Sequence, residues 1–225
     1  MKRRGRLTLA ALGGVLVLAA LPLLLRQMAF FRVRRVEVVG VRYLAPERVV
    51  AALALAPDQN LFDPIGGPEE RAAALPGVVR ATVSRRLPAT LRVRVVEQQP
   101  MALVSGSDGM IPLDCDGTAL PYDPSRSGLA LPIVARADTV LVRALCVVRA
   151  GDSTLYDAVD AVRPGGGGSV ILDLGQQRVR LSGAPTTDEV RAVAMVMRHL
   201  AATGRAMVEV DARFGGRIYA RRGRS

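Results

Sequence analysis

The chain carries one histidine, His199, two cysteines, Cys115 and Cys146, and an acidic pair, Asp114 and Asp116, the residue types from which metal, redox or acid–base sites are assembled. Their spacing builds none of these. A zinc site takes three or four His, Cys or carboxylate ligands, with Cys and His in closely spaced pairs, and no such pairs occur here. At about 100° per residue His199 falls opposite the apolar stripe of the helix that holds it, so it reads as a surface histidine. Asp114, Asp116 and Gly117 open like a calcium loop, yet the later oxygen ligands and the closing glutamate are missing, and the segment predicts a turn. Gly165 to Gly168 is as glycine-rich as a phosphate loop, but no Gly-Lys-Ser/Thr follows and no helix starts after it, which leaves a flexible connection. The serines and aspartates lack a partner base. No catalytic, cofactor-binding or metal-ligating residue is assigned, and the chain does not read as an enzyme.

The chemistry that remains is backbone pairing. Gly216 to Ala220 reads as the last strand, close to the C-terminus, with no later strand to cover it. Such an edge offers unpaired N–H and C=O groups that a partner segment satisfies by adding a strand. The competing reading is an ordinary edge blunted by Arg217, Arg221 and Arg222.

Composition narrows where this happens. Leu7 to Leu25 contains no charge, and as a helix rising about 1.5 Å per residue it matches the hydrocarbon thickness of a bilayer. It predicts a transmembrane helix over 7–25 after a cytoplasmic tail over 1–6, with Lys2, Arg3, Arg4 and Arg6 on the cytoplasmic side. A cleaved signal peptide is the rival reading, but the apolar run continues past the small residues Val17 and Ala19. The formal charge is +11, and the four charges ahead of the span leave +7 beyond it. Export argues against nucleic acid, and 4% aromatics offer little stacking surface. A solvated basic surface near anionic lipid headgroups is favoured. Export also permits a disulfide between Cys115 and Cys146, with two small buried thiols as the alternative.

The elements that position the edge follow from pattern. Val33 to Val39 predicts a strand stopping at Gly40, and Val49, Val50 and Leu53 recur at helical spacing behind Pro46. Pro68 opens a second helix over Glu69 to Leu75. Val78 to Arg85 and Thr90 to Glu97 predict a hairpin around Arg86 to Ala89, with Leu91, Val93 and Val95 on one pleat face and Arg92 and Arg94 on the other. Strand, helix, helix, strand, strand makes a small domain. Beyond Pro100 come short apolar segments at Met101 to Val104, Met110 to Leu113 and Thr118 to Leu120, then a helix over Thr139 to Ala150 started by Asp138. Leu155 to Val162 predicts a strand, and Val170 to Leu174 with Arg178 to Leu181 a hairpin. Thr186 and Glu189 form a capping box ahead of the apolar stripe Val190, Val193, Ala194, Met197, Leu200 and Ala201. Ala206 to Val210 and Gly216 to Ala220 read as a closing hairpin joined by VDARFGG.

These residues resemble a known family. Val39 with Gly40, Asn60 with Leu61 and Phe62, Leu75 with Pro76, Val78, Ala81, Val83, the Arg85 to Pro88 turn, Leu91, Val93, Val95, Glu97 and Pro100 are similar to the POTRA domain of the FtsQ/DivIB bacterial cell-division family. Asp211, Arg213, Phe214 and Gly216 are similar to the C-terminal motif of its β domain. The resemblance implies an α+β protein with a single N-terminal transmembrane helix, a β-α-α-β-β POTRA domain over 31–98 and a strand-rich β domain over 99–225 with packed helices and a C-terminal edge strand. It further implies a single-pass scaffold of the inner (cytoplasmic) membrane at the division septum, its ectodomain outside the cytoplasm, binding FtsB/FtsL-type partners and other divisome members and no small-molecule substrate. Phe214, Gly216, Arg217, Ile218, Tyr219 and Ala220 would contact FtsB. A POTRA-bearing outer-membrane assembly component and a membrane-tethered enzyme are the alternatives.

Overall fold

The structure, a computed structural model, describes residues 28–124, 130–204 and 207–222. The expected span at Leu7 to Leu25 lies outside these residues, and among the described residues no helix is long and apolar enough to cross a membrane. The chain divides into two compact units at Glu97 and Gln98.

The first unit contains β1 (Arg35–Val39), α1 (Pro46–Leu53), α2 (Gly66–Ala73), β2 (Val78–Arg86) and β3 (Thr90–Glu97). β3 is the central strand, parallel to β1 and antiparallel to β2. The alternation in β3 does what it predicts: Leu91, Val93 and Val95 are buried with Ala81 and Val83 of β2 against Val49, Leu53, Leu61 and Ala72. α2 begins two residues before Pro68, because the first-turn N–H groups of a helix have no internal acceptor and a proline there forfeits nothing. Charged side chains close the exposed backbone at element ends. Arg71 donates from Nη2 to Leu53 O at 2.6 Å where α1 ends. The Glu97 carboxylate accepts from the N–H groups of Arg42, Tyr43 and Leu44, tying the end of β3 to the turn before α1.

The second unit contains β4 (Ala102–Gly106), β5 (Gly109–Leu113), β6 (Ile133–Val134), α3 (Thr139–Gly151), α4 (Ser153–Asp157), β7 (Ala161–Pro164), β8 (Val170–Leu174), β9 (Gln177–Leu181), α5 (Thr187–Ala202), β10 (Met207–Phe214) and β11 (Arg217–Arg222). The described strands form one sheet in the order β11-β10-β9-β8-β7-β6-β4-β5. Val142, Leu145, Val148, Val162, Leu172, Val179, Val190 and Val193 are among the residues of its buried core. Asp138 caps α3 by accepting from Val140 N, and the Thr186 and Glu189 capping box opens α5. Asp114 accepts from Asp116 N and Thr118 N, which makes the turn that the acidic pair predicts. Cys115 and Cys146 are joined in a disulfide.

Two expectations give way, and one strand is new. Leu155 is helical rather than extended: Asp152 accepts from Leu155 N at 2.8 Å, and Leu155, Tyr156 and Val159 are all buried, a spacing that suits a helical turn and not an alternating strand. β6, two residues long and unpredicted, joins β4 and β7 through parallel pairs on both sides. The loop expected at VDARFGG shrinks to Gly215 and Gly216, since β10 runs on through Asp211 to Phe214.

Gly40 combines φ of +88° with a position where a Cβ would meet Val95 O at 2.3 Å. Gly40→Ala is expected to cost at least about 2 kcal/mol, read as a lowered unfolding midpoint. Removing the disulfide by Cys115→Ser with Cys146→Ser should cost about 2–4 kcal/mol in the same measurement.

Candidate partner-binding edge

β11 is an outermost strand, and among the described residues no strand pairs with its outer side. Two other outer strands, β2 and β5, are obstructed. β2 has Val83 N bonded at 2.8 Å by the Glu69 carboxylate of α2, which occupies a donor on its free side. β5 contains Pro112, which has no N–H, and the chain returns over it through the Leu113 and Ala119 bridge and the bond from Leu120 N to Pro112 O. β11 shows neither device among the described residues.

The hairpin that presents this edge is set by its turn. Gly215 and Gly216 have φ of +23° and +76°, and a Cβ on either would meet nothing within 4 Å. Backbone conformation, not space, therefore asks for glycine at Gly216, and the tight turn keeps β11 antiparallel to β10 with Asp211 opposite Tyr219 and Phe214 opposite Arg217. Ile218 lies partly buried against the core, while Phe214 is 54% and Tyr219 53% exposed. Their rings meet edge to face at 5.7 Å. All six residues expected at the edge thus fall within one hairpin: Phe214 ends β10, Gly216 lies in the turn, and Arg217, Ile218, Tyr219 and Ala220 lie in β11.

A polar brace holds the aromatic pair in place. Arg213 donates from Nη2 to Asp211 Oδ2 at 2.7 Å and from Nε to Oδ1 at 2.9 Å, and its guanidinium lies 5.2 Å from the Phe214 ring centre. This hydrogen bonding holds the Asp211 carboxyl below the usual carboxylate range despite the opposing effect of burial, and raises Arg213 above its ordinary value. Glu209, one pleat further, pairs with Arg221 of β11 and has Arg180 Nε of β9 at 2.7 Å, although that N–H is not aimed at it. Glu209 lies within the strand expected over Ala206 to Val210, but its partner Arg221 lies one residue past the strand expected to end at Ala220, so this link between β10 and β11 escapes the sequence pattern. The signal that β10 runs past Val210 was the alternation of buried Val210 and Ala212 with polar Glu209, Asp211 and Arg213. Arg217 and Arg222 make no ion pair among the described residues, so the edge is left basic. His199 is exposed on α5, and among the described residues no group of His, Cys, Asp or Glu could hold a metal ion.

The first unit defines a POTRA-bearing protein: residues 31–98 match the family model described as POTRA domain, FtsQ-type. The chain is 36% identical over 124 residues to "Cell division protein FtsQ" of Mycolicibacterium smegmatis, a match covering 55% of this chain and 36% of that one. It is 24% identical over 195 residues to "Cell division protein FtsQ" of Corynebacterium glutamicum, covering 81% and 86%. A solved structure of the major extracytoplasmic domain of the division protein DivIB from Geobacillus stearothermophilus aligns over 47% of this chain and 96% of that one, at 15% identity and a TM-score of 0.32. Residues 31–98 are a POTRA domain of the FtsQ type, and the chain as a whole is similar to FtsQ/DivIB division proteins. Its match spans about a third of the length of the mycobacterial relative.

Because the folded Asp211 carboxyl titrates below its unfolded value, its stabilisation of the hairpin is present above the ordinary carboxylate range and is lost as pH falls through the depressed value. Amide exchange in β10 and β11, corrected for its intrinsic pH dependence, should accelerate over that acid range relative to β8. In Asp211→Asn the hairpin should already exchange faster at neutral pH and show no such acid step.

Proposed function

We propose that this protein is a scaffold of the bacterial division machinery that works by binding and not by catalysis. In this reading residues 1–6 are a cytoplasmic tail, 7–25 a single membrane span, 31–98 a localising POTRA domain and 99–225 a β domain outside the cytoplasm at the division septum. The β domain holds FtsB/FtsL-type partners by strand addition at β11. The observation that carries the reading is the uncovered β11 edge with Phe214 and Tyr219 exposed beside it. Tyr and Phe beside Arg are the residues that concentrate binding energy in interfaces, and an extended partner would gain main-chain hydrogen bonds along β11. The unpaired Arg217 and Arg222 favour a partner strand with acidic side chains. The relatives named as cell division proteins supply the cellular context.

In a pull-down with the FtsB and FtsL ectodomains, Tyr219→Lys and Phe214→Ala are each expected to weaken capture at least about tenfold while leaving the core intact. Unchanged capture by folded variants would reject the edge as the binding site.

A further inference from the structure

The first unit carries a second exposed surface, at the end of its sheet where the chain enters. Arg34 N and Arg35 N both donate to Ala89 O, at 2.9 and 3.2 Å, and Arg35 pairs with Thr90, so the β2–β3 turn lies alongside the residues that lead into β1. That turn presents Arg86 and Leu87, and Leu87 is 69% exposed, more than any other large hydrophobic residue described. Upstream, Asn60 Nδ2 donates to Met28 O at 3.1 Å, and Phe30 packs edge to face on Phe31, which packs on Phe62. This fixes Met28 and Phe30 to the same end, where they are 49% and 57% exposed. Arg32, Arg34, Arg35 and Arg86 are exposed there and make no ion pair among the described residues. Glu37, paired with Arg92, also interacts electrostatically with Arg86 and Arg35 and offsets part of their charge, while Arg32 and Arg34 have no acidic ion-pair partner among the described residues.

Chain length says what lies opposite this surface. Met28 is the third residue after Leu25, so it stands within about 10 Å of the end of the apolar run even if the link is fully extended. The headgroup layer of a bilayer is roughly 5–8 Å deep on each side. We infer that this end of the POTRA unit is a lipid-docking surface, in which Leu87, Phe30 and Met28 enter the headgroup boundary of the outer leaflet and Arg32, Arg34, Arg35 and Arg86 bind anionic lipid phosphates. The surface rests on the reading of Leu7 to Leu25 as a membrane span. Aromatic and aliphatic tips flanked by arginine suit that boundary, and each basic residue near an anionic surface strengthens the contact roughly fivefold. The docking removes a rotational freedom that a flexible tether would leave, and so orients the unit on the membrane.

The test uses the full chain in vesicles of phosphatidylcholine with and without 30% phosphatidylglycerol, with an environment-sensitive fluorophore on Leu87→Cys and, as control, on Val79→Cys, roughly 26 Å away along β2. Retention after an alkaline wash reports the membrane span by itself, and a chain that washes off rejects the span. In retained protein, doxyl-lipid quenching at position 87 should exceed that at 79 at least about threefold in the anionic vesicles, and fall toward the control in phosphatidylcholine alone or at 0.5 M salt. Arg34→Gln with Arg86→Gln should lower it in the same direction, with the fold checked by unchanged thermal unfolding. Equal quenching at the two positions, or quenching at 87 that ignores lipid charge and both substitutions, overturns the docking surface while leaving the span intact.

Discussion

Burial of Val190, Val193 and Ala194 of α5 against the larger sheet is the contact on which the C-terminal end depends. α5 carries the chain from β9 back to the start of β10, and a parallel pair can be made only by such a crossover. With those three side chains buried, the register of β10 on β9 is set, with Glu209 opposite Arg178 and Asp211 opposite Arg180. β11 then follows from a two-glycine turn. The approach of α5 to α3 is close enough that a Cβ on Gly151 would meet Val190 at 2.8 Å, so the helix that places the hairpin is itself tightly held. An uncovered edge can serve recognition only if it is presented in one conformation, and this packing supplies the rigidity.

The two units treat their exposed backbone in opposite ways. In the first, charged side chains are spent on it: Glu69 on Val83 N, Arg71 on Leu53 O, Arg85 on Leu61 O and Glu97 on the N–H groups of the 42–44 turn. In the second, the charges near the last strand pair with one another across the sheet surface, Asp211 with Arg213 and Glu209 with Arg221, and the main chain of β11 keeps its outer side. Partly buried ion pairs at a sheet surface, as here, add modest stability. Their effect is positional, since they hold Phe214 and Tyr219 beside the open edge and leave Arg217 and Arg222 to set its sign.

Legibility followed locality. The β2–β3 hairpin, the Asp138 cap, the Thr186 and Glu189 capping box and the β8–β9 turn at Gly175 were readable because each is decided within a few residues by alternation, a capping oxygen or a glycine. Leu155 was misread for the complementary reason. Its buried neighbours Tyr156 and Val159 have helical spacing, and what starts the helix is Asp152, which caps α4 while bonded at 2.6 Å to Arg198 of α5, 46 residues away. β6 had no chance of being seen, since two residues carry no periodicity and its existence rests on parallel partners in β4 and β7. The six residues expected from the resemblance fall in one hairpin because Phe214, the Gly215 and Gly216 turn and β11 are contiguous in the chain, whereas the Glu209 link was hidden because Arg221 lies past the strand end expected at Ala220.

By itself the sequence determined the order of strands and helices in the first unit, the capped helices of the second, and the apolar run that precedes both, because hydrophobic period and end signals act over single turns and pleats. Tertiary structure alone decided the strand order of the larger sheet, the pairing of Cys115 with Cys146, and which outer strands are obstructed. An edge is open or closed according to what other segments bring beside it, Glu69 to β2 and Ala119 to β5, and such contacts between distant residues leave no mark in the residues of the edge itself.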